Sequence, residues 1–488
     1  MNVVLLLVDT LRYDFMGFNG NKNIQTPNMD RLAKKSIVFD NAFLGSYPCM
    51  PARRDILTGR YEFPWRGWGP LEHDDNDLTN VITLKNKHTS MLITDHFHLW
   101  EKGSGNYHFN FSGYEFIRGQ EYDKWKIEIG EVDYPAAPEK LAGHCRNPKE
   151  YFERNRRNGA FRKNEADYFP AQVMMNAANW LENNRKRENF FLMIDCFDPH
   201  EPFDPPKHYI DLYDSDYKGE EVIWPTYGWN TLSEEETCHV RSLYAAELSM
   251  TDRWIGYLLD KMEQLGLMEN TMIIFTTDHG HMFGEHNLMG KPWSAISDSN
   301  MYQEVAHIPM VIYHPEIRKP GKRVSQLVQP VDIYPTVLDA FGIEHPDGLH
   351  GKSLIQILLD DSQDSQETRK YACFGRYGEA INITDGEWTL FLWPSTESNS
   401  PLYWYSQLPP QYGPEKAIGG YENGRYPVHV ERGTQNSALY NIKEDYRQTE
   451  NLIDKRPDVA ERLKKRIVEF LEEIDAPEEQ LIRLGLAK

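Results

Sequence analysis

One cysteine of this chain lies in surroundings that suit an anion-binding site. In the segment YPCMPARRDILTGR, Cys49 stands between two prolines, and Arg53 follows four residues later. The pattern predicts a short helix from about Pro51 to Thr58, ended by Gly59. The positive end of that helix and a guanidinium would together hold an anionic oxygen. The plain alternative is that Cys49 is a small apolar residue that fills a turn.

Two carboxylates and an imidazole have the chemistry of metal ligands. Asp9 follows the apolar run Val3–Val8, and Asp278 and His279 follow the apolar run TMIIFTT. Such oxygen-rich ligation suits Ca²⁺, Mg²⁺ or Mn²⁺, and the imidazole shifts the preference slightly away from Ca²⁺. Lys291, thirteen residues beyond Asp278, would bring an ammonium group to the same place. Taken alone, an acid after a strand is more often a helix cap, and Lys291 is as readily a solvated loop residue.

Histidines follow two further strand-like segments. His96 and His98 come after TSMLITD, and His200 comes shortly after NFFLMIDCF. Each histidine alone would more often be a surface or satisfied side chain. In open parallel sheets, however, ligands bind at the carboxyl ends of the strands. Five polar features at one edge of one predicted sheet therefore indicate a single functional site.

The elements that must carry these residues alternate between strands and helices over about the first 340 residues. Val3–Val8 has the pattern of a strand buried on both faces. A helix with Thr26 as its cap and Pro27 in its first turn follows, and a long amphipathic helix starts at a capping box of Ser233 and Glu236. This alternation predicts an α/β fold with a large, mostly parallel sheet sandwiched by helices.

The last quarter of the chain has a different pattern. Short runs such as KYACFGRY and EWTLFLWP, followed by the helix-like DVAERLKKRIVEFLEEI, predict a smaller C-terminal antiparallel sheet plus a helix. A polar stretch near 359–368 separates the two patterns. We therefore expect a catalytic domain over 1–365 and a C-terminal α+β subdomain over 366–488. Residues 100–170, rich in Gly, Asn, Tyr and Trp, are expected to form long loops.

The composition excludes several classes of function. Lys and Arg number 53 against 74 Asp and Glu, which gives a net charge of −21, and no Lys/Arg-dense run is present. Such a field repels nucleic acid and anionic membrane surfaces, so we expect neither as a partner. No segment is apolar and long enough to span a bilayer, and the first residues lack the basic start and cleavage pattern of an export signal.

The five cysteines indicate a reducing compartment. They are odd in number, widely scattered and without CxxC spacing, as expected for reduced thiols. We therefore expect a cytoplasmic protein, although an exported form that has been processed would leave no trace in this sequence.

The segment CMPARRDILTGR resembles the C-x-P-[S/A]-R-x-x-x-L-T-G-R signature of the sulfatases, within the alkaline phosphatase superfamily. Further segments resemble sulfatase blocks in the expected order: LLLVDTLRYD, TPNMDRLAKKSIVFDNAF, DPHEPFDPP, TTDHGHMFGEHNLMGK, EVAHIPMVIYHP, VDIYPTVLDAFGI and ALYNIKEDYRQTENL. The resemblance spans nearly the whole chain and is weakest in 100–170 and 375–435. It implies a sulfuric ester hydrolase.

The resemblance implies that Cys49 is a precursor rather than a thiol nucleophile. In this family the signature cysteine is oxidised to formylglycine (3-oxoalanine), which would require a formylglycine-generating maturation enzyme as a partner. The hydrated aldehyde attacks sulfur with one hydroxyl, and its second hydroxyl then expels sulfate. A serine would leave a stable sulfate ester that needs a separate hydrolysis, which is why the chemistry favours a gem-diol.

The resemblance also assigns the metal. Asp9, Asp278, His279 and the modified Cys49 would hold a divalent cation, with Ca²⁺ expected first and Mg²⁺ or Mn²⁺ as alternatives. The cation would lower the pKa of the diol and neutralise charge on the transferring group. Many sulfatases have a second carboxylate where this chain has Thr10. Thr10 therefore either coordinates through its hydroxyl or contributes no ligand.

The other site residues take their expected roles from the same resemblance. Arg53 would position the diol. Lys291 and His200 would bind sulfate oxygens, and one of the two would protonate the leaving alcohol. His98 would be the base that releases sulfate. His96 takes the place of a family lysine in the substrate-binding site, so the site would carry less positive charge above neutral pH.

Two alternatives stay open. A phosphonate monoester or phosphodiester hydrolase shares the signature, with alanine at the position of Ala52, but the DHFH block favours a sulfate ester. A non-catalytic carbohydrate-binding relative would be favoured by loss of site residues, yet all are present. The acidic surface disfavours long polyanions, so we expect a small anionic substrate: a sulfated mono- or oligosaccharide attacked at its end, or another alkyl or aryl sulfate. The sequence does not define the oligomeric state.

Overall fold

The computed structural model of the chain describes residues 1–127, 130–292, 296–297, 300–360, 369–396, 398–411, 415–433 and 435–487. The expected domain boundary between residues 365 and 366 lies outside the described residues, so its position stays a prediction.

Strands and helices alternate along the described chain. The strands are β1 Asn2–Val8, β2 Ile37–Ala42, β3 Thr89–Thr94, β4 Gly113–Phe116, β5 Phe190–Cys196, β6 Gly228–Trp229, β7 Thr271–Thr276, β8 Met282–Phe283, β9 Leu288–Gly290, β10 Met310–Tyr313, β11 Arg323–Val328, β12 Ala372–Gly375, β13 Ile381–Thr384, β14 Trp388–Leu392, β15 Tyr403–Trp404, β16 Lys416–Ala417, β17 Tyr426–His429 and β18 Ala438–Asn441. The α-helices are α1 Pro27–Lys34, α2 Cys49–Thr58, α3 Pro148–Gly159, α4 Phe169–Asn183, α5 Lys207–Ile210, α6 Glu234–Gln264, α7 Gln303–Ala306, α8 Ile333–Phe341, α9 Ile355–Leu359, α10 Pro457–Glu473 and α11 Glu479–Arg483.

The main sheet has eight strands in the order β11-β2-β10-β7-β1-β5-β3-β4. Neighbouring strands pair in parallel except β10, which runs antiparallel to both β2 and β7. The expected large, mostly parallel sheet is confirmed. Because β1 lies between β7 and β5 and all three are parallel, their carboxyl ends share one edge of the sheet.

Helices cover both faces of this sheet because its central strands are apolar on both sides. Successive residues of β1 from Val3 to Val8 alternate between two separate cores. One core packs against α1, α4 and α6, and the other packs against α2, α8 and α9. Burial on both faces explains why β1 is a continuous apolar run rather than an alternating one.

Two predicted helix starts have different outcomes. At the start of α6 the predicted capping box is confirmed: the Glu236 N–H donates to Ser233 Oγ (3.2 Å) and the Ser233 N–H donates to Glu236 Oε2 (2.9 Å). Thr26 is the N-cap residue of α1, as predicted, but its side chain accepts no hydrogen bond from the helix backbone. Its hydroxyl oxygen instead accepts the N–H of Gly17 (2.9 Å), which ties the preceding loop to the helix.

The prediction of long loops over 100–170 is wrong in part. This stretch contains the edge strand β4 and the helix α3. α3 buries one large apolar side chain, Phe152, together with the polar Asn155 and Asn158, so its sequence has no clear apolar period.

A second difference concerns α2, which begins at Cys49 and so places the cysteine inside the first turn rather than before it.

The C-terminal part forms a four-stranded antiparallel sheet, β12-β13-β14-β18, covered by α10, as predicted. It shares a core with the preceding part, because Tyr61 and Phe63 pack among its apolar residues. Two backbone hydrogen bonds join the parts just before α2: the Tyr47 N–H donates to Gly375 O and the Gly375 N–H donates to Gly45 O, each at 3.0 Å. Among the helices that the structure describes, each is too short or too polar to cross a bilayer.

Candidate active site

Three carboxylates meet where the central strands end. Asp9 directly follows β1, Asp278 lies two residues beyond β7, and Asp195 is the penultimate residue of β5. Since β1 lies between β5 and β7, the parallel pairing brings the three side chains together. All three are fully buried. Buried carboxylates need charged or hydrogen-bonding partners, so a cation is required at this point.

Arg53 supplies that cation. Its guanidinium donates from Nη2 to Asp9 Oδ2 (2.9 Å), from Nη1 to Asp278 Oδ2 (2.8 Å), and from Nε and Nη2 to the two oxygens of Asp195 (2.9 and 2.7 Å). The side chain is fully buried, and Nη1 also donates to the Cys49 carbonyl (3.1 Å). One arginine therefore ties the first turn of α2 to the ends of three strands.

Cys49 lies beside an imidazole and an ammonium group. Its Sγ lies 3.3 Å from His279 Nε2 and 3.7 Å from Lys291 Nζ. Burial, together with the negative charge of Asp9, raises the pKa of the Cys49 thiol well above its ordinary value. A thiol with a raised pKa carries little thiolate and is a weak nucleophile. The raised pKa therefore argues against catalysis by the thiolate of an unmodified Cys49.

Four potential ligand atoms lie within 4.8 Å of one another, and they belong to Asp9, Cys49, Asp278 and His279. His279 Nδ1 donates to the Gly280 carbonyl (2.9 Å), which leaves Nε2 as the lone-pair nitrogen that faces Cys49. Burial lowers the pKa of His279 and so keeps the ring neutral, as a metal ligand must be. Burial alone would raise the pKa of Asp9, but Arg53 holds it well below its ordinary value. This set of ligand atoms fits a divalent cation that binds oxygen and nitrogen ligands.

Thr10 supports two of these carboxylates. Its hydroxyl donates to Asp9 Oδ1 (2.5 Å), and its N–H donates to Asp278 Oδ1 (3.1 Å). The residue has a φ of 61°, a left-handed conformation that costs a β-branched side chain on the order of 1–3 kcal/mol. A strained residue that holds both carboxylates by hydrogen bonds is typical of a functional site.

A cavity of about 790 Å³ opens over this centre. Its volume lies in the range of small-molecule sites, roughly 300–1,000 Å³. Its wall includes four of the residues singled out in the sequence: Cys49, His98, His200 and Lys291. Aromatic and basic residues farther out line it as well: Trp68, Tyr122, Tyr227, Lys124, Arg146 and Arg154.

His98 lies between two glutamates in the cavity wall. Its Nδ1 lies 2.6 Å from Glu101 Oε2, and its Nε2 lies 3.3 Å from Glu121 Oε2. Burial opposes a charge on His98, but the carboxylate of Glu101 and then that of Glu121 outweigh it and raise the pKa of His98 to about 9. The ring is therefore an imidazolium at neutral pH. An imidazolium has no lone pair to accept a proton, so this arrangement favours a fixed cation over the base expected from the sequence.

His200 and Lys291 both line the cavity, and Lys291 lies beside Cys49. His200 Nδ1 donates to the Glu201 carbonyl (2.8 Å), so Nε2 is the ring nitrogen left for a ligand. Burial lowers the pKa of His200 well below its ordinary value. Burial also opposes the charge of Lys291, but the surrounding carboxylates, Glu201 and Asp9 foremost, raise its pKa above its ordinary value. The cavity thus offers the permanent ammonium of Lys291 and the neutral imidazole of His200.

His96 is not among the residues that line the cavity, and its expected part in substrate binding stays a prediction. It is fully buried, and its Nε2 lies 3.3 Å from Asp9 Oδ2. Burial, together with the positive charge of Arg53, lowers the pKa of His96 to about 3, so the ring is neutral. An imidazole is shorter than a lysine side chain and ends beside Asp9 instead of reaching past it.

Three site residues escaped the sequence analysis: Asp195, Glu121 and Glu201. Asp195 had a signal, because an acid inside the apolar run FFLMIDC must find a partner in a buried strand. Glu201 directly follows His200, and its fully buried carboxylate lies 3.5 Å from His200 Nδ1 and 3.4 Å from His281 Nε2. Glu121 had no such signal, since the residues around it follow no helical or strand period.

The family model for sulfatases matches residues 1–343 of the chain. Among characterised relatives, an arylsulfatase of Clostridium perfringens is 28% identical over 403 residues, which cover 73% of this chain and 78% of that protein. An N-acetylglucosamine-6-O-sulfatase of Bacteroides thetaiotaomicron is 22% identical, in an alignment that covers 97% of this chain and 86% of that protein.

Solved structures share the fold across the whole chain. The phosphonate monoester hydrolase of Agrobacterium radiobacter superposes with a TM-score of 0.69 at 18% identity, covering 97% of this chain and 95% of that one. A structure in complex with its substrate, D-glucosamine-2-N,6-O-disulfate, superposes with a TM-score of 0.66 at 18% identity, covering 97% and 98%. At this level of identity the likeness shows the fold and leaves the reaction to the site itself.

Proposed function

The chain belongs to the sulfatase family and is a sulfatase, and from this premise we propose which residues hydrolyse the sulfuric ester and what class of substrate they accept. The observation that supports the proposal most is the convergence of Cys49 and Lys291 in one cavity, beside a set of metal-ligand atoms and above the buried Arg53. The reaction is the hydrolysis of a sulfate ester to an alcohol and inorganic sulfate.

We infer that Cys49 is the precursor of formylglycine and that its Sγ stands in for the aldehyde oxygen. The raised pKa of the buried thiol supports this inference, because an unmodified thiol would be a weak nucleophile here. The hydrated aldehyde supplies one hydroxyl to attack sulfur and a second to release sulfate. Arg53 donates to the carbonyl of residue 49 and so fixes the turn from which the reactive side chain projects.

The donor set of Asp9, Asp278, His279 and residue 49 would hold a divalent cation, Ca²⁺ first, with Mg²⁺ or Mn²⁺ as alternatives. When bound, the cation supplies positive charge that favours an ionised hydroxyl on residue 49 and balances the sulfate. The Thr10 hydroxyl already donates to Asp9. We therefore propose that Thr10 orients the ligands rather than joining them.

Lys291 binds the sulfate group in this proposal, and His200 lines the same cavity. The Lys291 ammonium lies 3.7 Å from Cys49 Sγ, close enough to neutralise an anion transferred to residue 49. His200 donates from Nδ1 and has a lowered pKa, so its Nε2 carries a lone pair, and Lys291 is the one of the two that can protonate the leaving alcohol. His98 contributes a fixed positive charge to the cavity wall instead of acting as the base.

We propose a small sulfated carbohydrate, or another alkyl or aryl sulfate, as the substrate. A net charge of −21 opposes long polyanions, and a cavity of about 790 Å³ suits one or two sugar rings at the end of a chain. The relative named for N-acetylglucosamine-6-O-sulfate supports a sugar sulfate.

The same proposal includes the domain division, the cellular setting and a protein partner. Residues 1–365 would form the catalytic domain and residues 366–488 the C-terminal subdomain, which shares a core with it. All five cysteines lie in the described residues and none is disulfide-bonded, which supports a reducing, cytoplasmic setting. A formylglycine-generating maturation enzyme that oxidises Cys49 would be a protein partner.

Paired rates test the reaction. With enzyme that carries formylglycine at residue 49, we expect a higher kcat/KM for an aryl sulfate than for a phenylphosphonate monoester with the same leaving group. A higher value for the phosphonate would instead favour the phosphonate monoester hydrolase that shares this fold. No turnover of either ester would favour the non-catalytic, carbohydrate-binding alternative.

A further inference from the structure

Glu121 bridges two histidines of the cavity wall. Its Oε2 lies 3.3 Å from His98 Nε2, and its Oε1 lies 3.6 Å from His200 Nδ1. Its side chain is 7% exposed, and the residue lines the same cavity as Cys49. Glu101 already pairs with the other nitrogen of His98, and a second carboxylate beside a sulfate-binding site weakens the binding of sulfate, so the pairing with His98 alone does not account for Glu121.

Hydrogen bonds from Gln120 attach the loop that carries Glu121 to the edge of the main sheet. The neighbouring Gln120 donates its side-chain amide to Asp95 Oδ2 (2.9 Å) and to Asp198 Oδ1 (2.6 Å). These two acids belong to the loops that carry His98 and His200. Gln120 and Glu121 therefore connect the same two loops. Gln120 does so beneath the cavity, and Glu121 does so within it.

The backbone of Glu121 is held in a conformation that glutamate rarely adopts. Its φ is 41°, in the left-handed region. The turn around it is fixed by the Asp123 N–H, which donates to Gln120 O (2.9 Å), and by the Gly119 N–H, which donates to Asp123 Oδ2 (2.9 Å). The surrounding bonds thus aim this one carboxylate into the cavity.

A metal ion is a poor occupant for this carboxylate. Ligand atoms of Glu121, His200 and Glu201 do lie within 4.8 Å of one another. However, the positive charge of Lys291 acts on both glutamates, and His200 Nδ1 already donates to the Glu201 carbonyl. A divalent cation would meet an ammonium group and would displace that hydrogen bond.

A hydrogen-bond donor on the substrate fits better. A carboxylate can accept about four hydrogen bonds, and the two contacts that Glu121 makes to imidazole nitrogens are long, at 3.3 and 3.6 Å. Trp68, whose ring meets that of His98 edge-to-face at 5.0 Å, adds an apolar surface beside it. An aromatic ring next to a carboxylate suits a polar ring compound that offers a donor.

We propose that Glu121 determines specificity by accepting a hydrogen bond from a donor on the alcohol part of the sulfate ester, close to the carbon that carries the sulfate. This inference rests on the proposed sulfatase site and names a feature of its substrate: a hydroxyl or ammonium group near the ester. A second anionic group at the same place is excluded by charge repulsion.

Three aryl sulfates test the proposal: phenyl sulfate, ortho-hydroxyphenyl sulfate and ortho-(aminomethyl)phenyl sulfate. We expect Glu121→Gln to lower kcat/KM for the hydroxyl or the ammonium ester at least about tenfold more than for phenyl sulfate, because only the esters with a donor lose a charge-assisted hydrogen bond. A larger loss with the ammonium ester would identify an amine as the preferred donor, and a larger loss with the hydroxyl ester would identify a sugar-like diol.

Glu101→Gln is the matched control, since Glu101 bonds the opposite nitrogen of His98. It removes a carboxylate from the same imidazolium without removing the one that bridges to His200, so we expect it to change the three rates by a common factor. An equal loss on all three esters with Glu121→Gln would overturn the proposal and leave Glu121 as a positioning residue for His98. Wild-type enzyme that hydrolyses none of the three, despite full conversion of Cys49, would contradict the proposed function itself.

Discussion

Arg53 makes more charge-assisted hydrogen bonds than the other side chains of the catalytic centre. Two of them, from Nε and Nη2, go to the two carboxylate oxygens of Asp195. The family resemblance pointed to Asp9 and Asp278 but not to Asp195, which comes from the neighbouring strand β5. With Thr10 in place of a second carboxylate beside Asp9, Asp195 restores a third negative charge to the same cluster. We infer that it positions Arg53 rather than binding metal, since both of its oxygens accept from the arginine.

Asp195→Asn tests this role. The substitution leaves the shape intact but removes the charge that compensates a fully buried arginine, so we expect the free energy of unfolding to fall by about 3 kcal/mol. We also expect kcat to fall at least about tenfold with little change in KM, because the turn that carries residue 49 loses its anchor. Asp216→Asn, on an exposed loop, serves as the control. Wild-type stability and kcat in Asp195→Asn would rule out the positioning role.

The charge of His98 makes a prediction about pH. Its pKa is raised to about 9 in the folded protein, against about 6.5 in an unfolded chain. Its contribution to stability is therefore complete below about pH 6.5 and is lost as the pH rises through about 9, a change of about 3 kcal/mol.

Denaturant unfolding of the wild type and of His98→Gln at several pH values measures this contribution. The difference in unfolding free energy between the two should shrink by about 3 kcal/mol between about pH 6 and pH 10, and His208→Gln, at an exposed histidine, is the control variant. A difference that is constant with pH would mean that the pKa of His98 is not raised in the folded protein, and the ring could then act as the base expected from the sequence.

At the scale of elements, the site depends on where strands end and on how loops cross those ends. The residues that follow β1, β3, β5 and β7 were found from sequence because each comes directly after a continuous apolar run, and the parallel sheet gathers such positions at one edge. The start of α2 was predicted two residues late, since the pattern did not indicate that Cys49 lies inside the helix.

The loop from Arg118 to Asp123 shows why the rest could not be predicted. It has no apolar period, and its structure depends on side-chain bonds to residues far away in sequence. Gln120, for example, reaches Asp95 and Asp198 across the sheet edge. Such long-range polar bonds leave no trace in local spacing, so neither this loop nor the cavity wall it forms was accessible from the sequence.

Gln120→Leu tests whether the two hydrogen bonds of the Gln120 amide order the loop. The substitution keeps the volume but removes the donor shared by two buried carboxyl groups, so the loop should open more easily. We expect backbone amide exchange over 118–123 to speed up at least about tenfold, and KM for a sugar sulfate to rise more than kcat falls. Gln25→Leu, at an exposed position, is the control. Unchanged exchange over 118–123 would mean that other bonds order the loop.

At the scale of the whole molecule, the C-terminal sheet and the main sheet act as one support for the catalytic helix. The backbone before α2 pairs with Gly375 of β12, and the aromatic residues after α2, Tyr61 and Phe63, enter the C-terminal core. The α/β class and the smaller C-terminal sheet were predictable, because each depends on periodicity within a segment. How closely the two parts join around α2 was not, because it depends on contacts between segments more than 300 residues apart.

The account depends above all on residue 49 as the source of a reactive aldehyde hydrate. The most direct test prepares the protein with formylglycine contents from none to nearly complete, by varying co-expression with a maturation enzyme, and measures each content by peptide mass spectrometry. The rate of aryl sulfate hydrolysis with added Ca²⁺ should then rise in proportion to the formylglycine content from zero, with Cys49→Ala inactive and Cys238→Ser, at an exposed cysteine, following the same line as the wild type. Hydrolysis at an undiminished rate by protein whose Cys49 is still a thiol would contradict the account.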